Sequence, residues 1–385
     1  MSETNGPLPT CPINDILPVE ILGSIFEERA KLEWRAPVID GQVCRLWRQV
    51  VLNTPRAWAY LEVYSHNMPS GSQLRLWLHR SGAAALLHIR VDCDIPLLGR
   101  SNTHPLDDFL SDCHTRIASL QMDNAELFFL ERKAFPCLRF LDVRHREITY
   151  STLAPIQWGP MPQLQSLCLG PTNFCVAPLG GVAPLKMLSL NSVNCASLPR
   201  HSPSLTKLML QNVSLEGVIS GPLAFPSLTF LSLFDVTGLK PHIEAPCLAT
   251  YHDGGRSIRE SFSAPLQSIV EYGIYHHYDE NLHPTEWNYY FPNISRLSMR
   301  ATPYNLSLVV DSLFGDKHLL PALQMIAIKN LGHSITEHEL KCMKRQVWER
   351  NKAYHTDVVL HIEHRLPDHI PLFFAGVSRN LLDDL

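Results

Sequence analysis

Apolar residues recur along most of this chain with one fixed spacing. The segments PCLRFLDV, PQLQSLCL, APLKMLSL, SPSLTKLML, FPSLTFLSL, FPNISRLSM and PALQMIAI share the pattern P-x-L-x-x-L-x-L. Their first apolar positions are Leu138, Leu164, Leu185, Leu205, Leu228, Ile294 and Leu323, and weaker copies begin at Ile117, Leu248 and Leu266. In a strand, residues two apart point to the same side. The pattern therefore predicts one short strand per repeat, with its leucines facing inward.

The repeat interval of roughly 20 to 30 residues is that of leucine-rich repeats, whose units stack into a curved solenoid. A proline before each unit suits the first position of a strand. The sequence thus predicts an α/β repeat fold with a leucine-rich-repeat-like solenoid over residues 61-335, although an irregular stack of strands and helices remains an alternative.

The repeats depart from the usual pattern just after the last leucine. The usual Asn or Cys is replaced by Val193, Val213, Val236 and Leu331. A polar residue stands one place earlier, at Ser192, Asn212, Asp235 and Asn330, where it can cap the turn. The repeat subtype stays open.

Residues that alternate with the leucines are predicted to form two rows on the concave face. The first row is Phe140, Ser166, Met187, Lys207, Phe230, Arg296 and Met325, and the second is Arg144, Asn191, Gln211, Phe234, Arg300 and Lys329. Aromatic residues, Met and Arg are enriched at interfaces. We expect these rows to bind a target, with Phe140, Arg144, Met187, Lys207, Phe230, Phe234, Arg296 and Arg300 as the main contacts.

The pattern fails between His242 and Phe291, where Asp253 and Glu271 fall on positions predicted to be buried. The segment YHHYDENLHPTEWNYY within it is typical of a recognition loop. Alternatively, Trp287, Tyr290 and Phe291 belong to a helix that covers the convex side. His276 and His277 are adjacent and lack further ligands at fixed spacing, so no metal site is predicted.

Helical patterns occur near both ends of the chain, each beside a segment that lacks one. Residues 1-14 are polar and aperiodic and predict a disordered lead-in. Apolar stripes within 15-60 predict short amphipathic helices, too few to close a core by themselves. Thr336 and Glu339 fit a capping box, and Leu340, Met343 and Val347 share one helical face, so residues 336-385 are predicted to hold a capping helix and a tail.

Composition narrows the function. With 33 basic and 37 acidic residues the net charge is -4, which gives no bulk attraction to nucleic acid or membranes. Neither a signal peptide nor a membrane-spanning stretch is visible in the sequence, so a cytosolic or nuclear protein is expected. The Cys residues are scattered singly, with no C-x-x-C pair, so reduced thiols are expected. No catalytic or cofactor motif is present, so neither an enzyme nor a cofactor is predicted.

The N-terminal motifs suggest a family. LPVEILGSIF at 17-26 and VCRLWR at 43-48 resemble the two signatures of the F-box motif. The following TPRAW and LEV resemble the F-box-like proteins of mushroom-forming fungi, in which an F-box precedes leucine-rich-type repeats. The intervening EERAKLEWRAPVIDGQ is longer than the compact F-box linker.

The resemblance implies a substrate-recognition subunit of a Skp/cullin/F-box ubiquitin ligase, monomeric outside that complex. The F-box would bind a Skp-type adaptor, itself bridged to a cullin, and the repeats would hold a target protein. The implied adaptor contacts are Leu17, Pro18, Ile21, Leu22, Ile25, Phe26, Val43, Cys44 and Trp47. Two alternatives stay open: the stripes pack only against the repeats, or the protein is a repeat scaffold that assembles no ligase.

Overall fold

The computed structural model describes residues 17–92, 105–123, 133–144, 159–170, 172–176, 185–195, 198, 201–214, 223–237, 243–253, 267–274, 289–300, 320–330, 337–354 and 356–364. The chain divides into two compact units. The first comprises Met1–Leu205 and Val213–Val218, and the second comprises Thr206–Asn212 and Ile219–Leu385. Each is built on a parallel sheet, so the predicted solenoid of stacked strands is confirmed.

The first unit begins with helices. They are α1 (Val19–Leu32), α2 (Ala36–Val43), α3 (Arg45–Leu52), a 3-10 turn (Pro55–Trp58), α4 (Gly71–Arg80) and α5 (Pro105–Cys113). Cys44 is extended and separates α2 from α3, and its Sγ accepts a hydrogen bond from the Trp47 amide at 3.4 Å. Ser70 and Gln73 form a capping box that starts α4.

The strands of the first unit are β1 (Tyr60–Tyr64), β2 (Leu87–Asp92), β3 (Ile117–Asp123), β4 (Phe140–Arg144), β5 (Ser166–Leu169), β6 (Thr172–Val176), β7 (Met187–Asn191) and β8 (Val193–Cys195). All pairings are parallel. The sheet runs in the order β1, β2, β3, β4, β5, β7, and β6 pairs separately with β8. Chain order is therefore nearly the same as sheet order, as expected of stacked repeats.

The second unit contains β9 (Lys207–Gln211), β10 (Leu223–Ala224), β11 (Phe230–Phe234), β12 (Ile243–Glu244), β13 (Thr250–Asp253), β14 (Glu271–Ile274), β15 (Arg296–Arg300), β16 (Met325–Asn330), α6 (Glu337–Tyr354) and β17 (Val359–His364). Its parallel sheet runs β9, β11, β13, β14, β15, β16, β17, and β10 pairs with β12. A helix, α6, is present where the capping helix was predicted. It is followed by β17, which pairs with β16, so α6 connects two strands and does not end the solenoid.

The repeated apolar triplet forms the core. In the seven repeats with the full pattern, the three inward positions of each strand are at most 5% exposed. In β4, for example, these residues are Leu138, Leu141 and Val143. Each fully buried Leu stabilises the fold by roughly 1.5 to 3 kcal/mol, and the parallel ladders satisfy the backbone groups between them.

The region from His242 to Phe291, where the pattern was expected to fail, contains two repeats, one of which begins at the buried Leu248, as the weaker copy predicted. Tyr251 of β13 and Tyr272 of β14 take the inward positions and are fully buried, 6.0 Å apart between ring centroids. Phe291 is also buried and lies 4.8 Å from the Tyr272 ring. The anchor of β14 is the buried Ile269 rather than Leu266, which lies outside the described residues, as does Trp287. Aromatic rings here replace the leucines that define the pattern elsewhere.

Glu271 is the other correction in this region, because it lies on the outward side of β14, opposite to Tyr272 and Ile274. Asp253 occupies the register position of the inward Leu233, as predicted from its spacing. The side chain of Asp253 is not among those described.

The polar residues after the last leucine mark a tight turn. Ser192, Asn212 and Asp235 have φ values of 51°, 50° and 48°, in the left-handed region. Asn and Asp tolerate this conformation better than most residues. The backbone therefore turns where the sequence places a small polar residue, whereas the side-chain cap expected at these positions stays a prediction.

We expect Asp235→Val to be less stable than Asp235→Gly by about 1 to 2 kcal/mol, because a β-branched residue is strained at positive φ and glycine is not. Both variants lose the same side chain, so the difference isolates the backbone conformation. Urea unfolding of the two proteins provides the measurement. Equal stability of the two would contradict the assignment of a strained turn.

Candidate functional site

The helices α1 and α2 expose apolar side chains. On α1, Ile21, Ile25 and Leu32 are 49%, 44% and 77% exposed and lie on one side of the helix. On α2, the exposed apolar residues are Val38, Ile39 and Val43, with 41%, 43% and 55% of their surface accessible. We refer to these six residues as the apolar helix face.

The opposite side of α1 is packed against the rest of the unit. Leu22 and Phe26 are 3% and 1% exposed, and the Phe26 ring lies 5.2 Å from that of Trp47. Of the nine adaptor contacts expected from the motif, Pro18, Ile21, Ile25 and Val43 are exposed, Leu17, Cys44 and Trp47 are half-buried, and Leu22 and Phe26 are buried. Leu22 and Phe26 are thus core residues, because a motif records residue type but not which side of the helix is covered.

The long segment between the two motifs is ordered. It continues α1 and forms α2, and Arg29 donates a hydrogen bond to Asp40 between the two helices. The Asp40 side chain is fully buried. Burial raises the pKa of the Asp40 carboxyl, and the charge of Arg29 opposes that rise. This ion pair fixes the orientation of the apolar residues on α2 relative to those on α1.

The 3-10 turn anchors the helices to the first strand. Trp58 is 1% exposed, and its Nε1 donates to the Val51 carbonyl at 2.8 Å. The Arg80 guanidinium lies 4.5 Å from the Trp58 ring. Next to this anchor, α1, α3 and the turn at Ala84 and Ala85 surround an open groove of about 780 Å³ with a mixed polar and apolar lining. The helices thus form a fixed platform on the end of the sheet.

On the outward side of the first unit, one expected target contact, Arg144, is paired with a neighbouring carboxylate of the same strand. Arg144 makes two hydrogen bonds to Asp142, from Nε at 3.1 Å and from Nη2 at 2.5 Å. Asp142 is 1% exposed, and burial raises its pKa despite the nearby Arg144 charge. Gly170 leaves room for this pair, because a Cβ there would lie 2.9 Å from the Arg144 Cα.

Two members of the first row are not accessible. Ser166 and Met187 are 1% and 2% exposed, so they cannot contact a target as the strand pattern suggested. Alternation fixes the side of the sheet to which a residue points, whereas its exposure depends on neighbours about 4.8 Å away on the adjoining strands. Phe140 is half-buried and remains available in part.

The second unit carries a mixed aromatic and charged cluster on its outward side. Phe230 and His252 lie 4.8 Å apart between ring centroids, with an edge-to-face geometry. Glu271 accepts a hydrogen bond from Ser298 Oγ at 2.9 Å, and its Oε1 lies 3.6 Å from Arg296 Nε and 3.8 Å from His252 Nε2. We call Phe230, His252, Glu271, Arg296 and Ser298 the outward cluster.

Glu271 is the electrostatic centre of this cluster. Burial acts to raise its pKa, but the nearby His252, the hydrogen bond from Ser298 and the charge of Arg296 prevail and lower the pKa to about 2. The carboxylate is therefore charged at neutral pH and holds Arg296, whose side chain stays 38% exposed. Spacing alone did not reveal this site, because the misplaced repeat put Glu271 inside.

The remaining predicted contacts differ in accessibility. Lys207 is exposed and Phe234 is half-buried, whereas the side chain of Arg300 is not among those described. Among the residues that the structure describes, no group of three or more His, Cys, Asp or Glu side chains could hold a metal ion. None of the described helices combines the length and apolar character that a membrane crossing requires.

The structure defines a class: a parallel-strand solenoid protein with a helical N-terminal region. No family model and no curated protein sequence matches the chain.

We expect the stabilisation due to Glu271 to be present above pH 4.5, its ordinary pKa, and to be lost as the pH falls toward about 2. The folded state binds fewer protons than the unfolded state in this window, so acid destabilises it, by about 1 to 3 kcal/mol after allowance for solvent screening. Unfolding midpoints between pH 2 and 7 measure the effect. Glu271→Gln should flatten this part of the profile and Glu349→Gln, at an exposed helix pair, should not; identical profiles for all three proteins would contradict the assignment.

Proposed function

We propose that this protein is the substrate-recognition subunit of a Skp/cullin/F-box ubiquitin ligase, in which the N-terminal helices bind a Skp-type adaptor and the solenoid binds a target protein. The observation that carries the proposal is the apolar helix face, which lies within the segment that resembles an F-box. A chain that buries almost every repeat leucine leaves six large apolar side chains of two short helices in water.

The apolar helix face has the chemistry of a docking surface. Its residues are between 41% and 77% exposed, and covering them would remove apolar area from water. Full burial of such a side chain is worth roughly 1.5 to 3 kcal/mol, so covering what is exposed on six residues would supply several kcal/mol toward the cost of association. Exposed apolar side chains concentrated on two adjoining helices are what an interaction site offers to a partner.

The platform beneath these residues supports the same function. Leu22 and Phe26 pack inward, and the pair of Arg29 and Asp40 links the two helices. A partner would therefore meet side chains that are already ordered, which lowers the entropy cost of binding. The burial of Leu22 and Phe26 gives them the role of support, while Ile21, Ile25 and Val43 are the proposed contacts.

The outward cluster is the proposed target site. Aromatic and Arg side chains are enriched among residues that dominate binding energy, and Phe230 and Arg296 lie together there with Glu271 fixing Arg296. The exposed Lys207 on β9 extends this site along the sheet. The alternative function, a repeat scaffold that assembles no ligase, would use this cluster in the same way but would leave the apolar helix face without a Skp-type partner.

Adaptor binding distinguishes the two functions. We expect the protein co-expressed with a Skp-type adaptor to retain that adaptor in a pull-down, and Ile21→Asp/Ile25→Asp to lose it, because each substitution places a charge in the interface. The matched control is Leu76→Asp on α4, which is 45% exposed and lies outside the apolar helix face. The wild type and all variants should unfold at the same midpoint. Failure of the folded wild type to bind would favour the scaffold function, and binding by the double variant would exclude the apolar helix face as the contact.

A further inference from the structure

Helix α6 has a buried side and a strongly basic exposed side. Met343, Val347 and Arg350 are 4%, 7% and 3% exposed and face the interior of the second unit. The exposed side carries five residues that share one stripe of the helix: Lys341, Lys344, Arg345, Trp348 and Lys352. We call these five residues the basic stripe.

The C-terminal two thirds of α6 differ in charge from the chain as a whole. The helix begins with the acidic Glu337 and Glu339, but between residues 341 and 352 there are five cationic residues and one acidic residue, Glu349, whereas the whole chain has a net charge of -4. One of the five, Arg350, is buried and its Nη2 donates to the Leu320 carbonyl at 3.4 Å. The other four cations lie on the basic stripe, so the concentration of positive charge is a property of the surface.

Trp348 lies in the middle of these cations and is 61% exposed. The Lys352 ammonium is 5.2 Å from its ring centroid, a cation–π contact, and Arg345 pairs with Glu349 at 2.9 Å. Lys352 is thus already positioned at the ring, and Arg345 is held on the same stripe by Glu349. An exposed Trp next to Arg and Lys residues is the composition of an interface centre.

We propose that the basic stripe of α6 binds an acidic segment of a partner protein, with the carboxylates pairing with the four cations and an apolar side chain covering Trp348. The residues from Lys341 to Lys352 span about 16 Å of helix, which an extended peptide of about five residues matches. This site shares no residue with the apolar helix face or the outward cluster, and it does not depend on the proposed ligase function.

Charge and size favour an acidic peptide over other anions. Binding to DNA or RNA usually engages many phosphates over a wide basic surface, and anionic membranes likewise attract broad polybasic segments. The chain has a pI near 6.5, so beyond this one helix face its charge opposes both. A single stripe four cations long, with one aromatic ring at its centre, suits a short and partly apolar acidic segment.

The test uses the full-length protein and a fluorescein-labelled poly-glutamate peptide with a central leucine, measured by fluorescence anisotropy at low and moderate salt. We expect binding that weakens as salt increases. Trp348→Ala should weaken binding by about tenfold or more, as for an interface centre, and Lys344→Glu should weaken it by a similar factor and reduce its salt dependence. The matched control is Arg75→Glu, an exposed cation on α4, which changes the net charge by the same amount.

Retention of peptide affinity in Arg75→Glu, together with its loss in the two α6 variants at unchanged unfolding midpoints, would support the proposal. Three outcomes would overturn it: no binding of the peptide to the wild type, equal weakening in Lys344→Glu and Arg75→Glu, or tighter binding of a DNA duplex or phosphatidylserine vesicles than of the peptide. Because Lys344 and Trp348 are exposed, a folding defect is not expected from either substitution.

Discussion

The structure depends on the burial of one apolar triplet per strand. Each triplet fills the interior only when the triplets of the adjoining strands lie in register with it. The parallel register and the inward leucines therefore require each other. The ladders hold the backbone of every strand, and the positive-φ residues Ser192, Asn212 and Asp235 then turn the chain out of the sheet. Because leucines and other apolar residues fill the interior, polar and charged strand residues that could bind a partner lie on the outward side.

On that outward side, the two units use charge in different ways. Asp142 and Arg144 neutralise each other where little of either side chain is exposed. An ion pair that is removed from water contributes little net binding energy, so its main effect is to fix the two side chains in place. Around Glu271, by contrast, the carboxylate holds Arg296 while leaving it more than one third exposed. A target could compete for a side chain of the second kind at little cost, and this is why we propose the target site in the second unit.

Spacing predicted most of the solenoid, because a strand that buries Leu at fixed intervals leaves a periodic record in the sequence. It was weak at β13 and misplaced at β14, where Tyr251 and Tyr272 fill the same interior with rings that pack against Phe291. The repeat pattern is defined by side-chain type, whereas packing requires only volume and apolar surface. The same confusion of type with position put Glu271 inside and hid the outward cluster.

The N-terminal helices show the limit of motif resemblance in the same terms. Ile21 and Leu22 are neighbours of similar hydrophobicity in one motif, yet one is half exposed and the other is almost fully buried. Nothing in their composition separates them; the difference comes from what packs against α1, which is α3 and the turn that holds Trp58. Because the interior already takes Leu22 and Phe26, we propose the other side of the helix as the surface that an adaptor would contact. Exposure therefore decides which of the resembling residues remain available for binding.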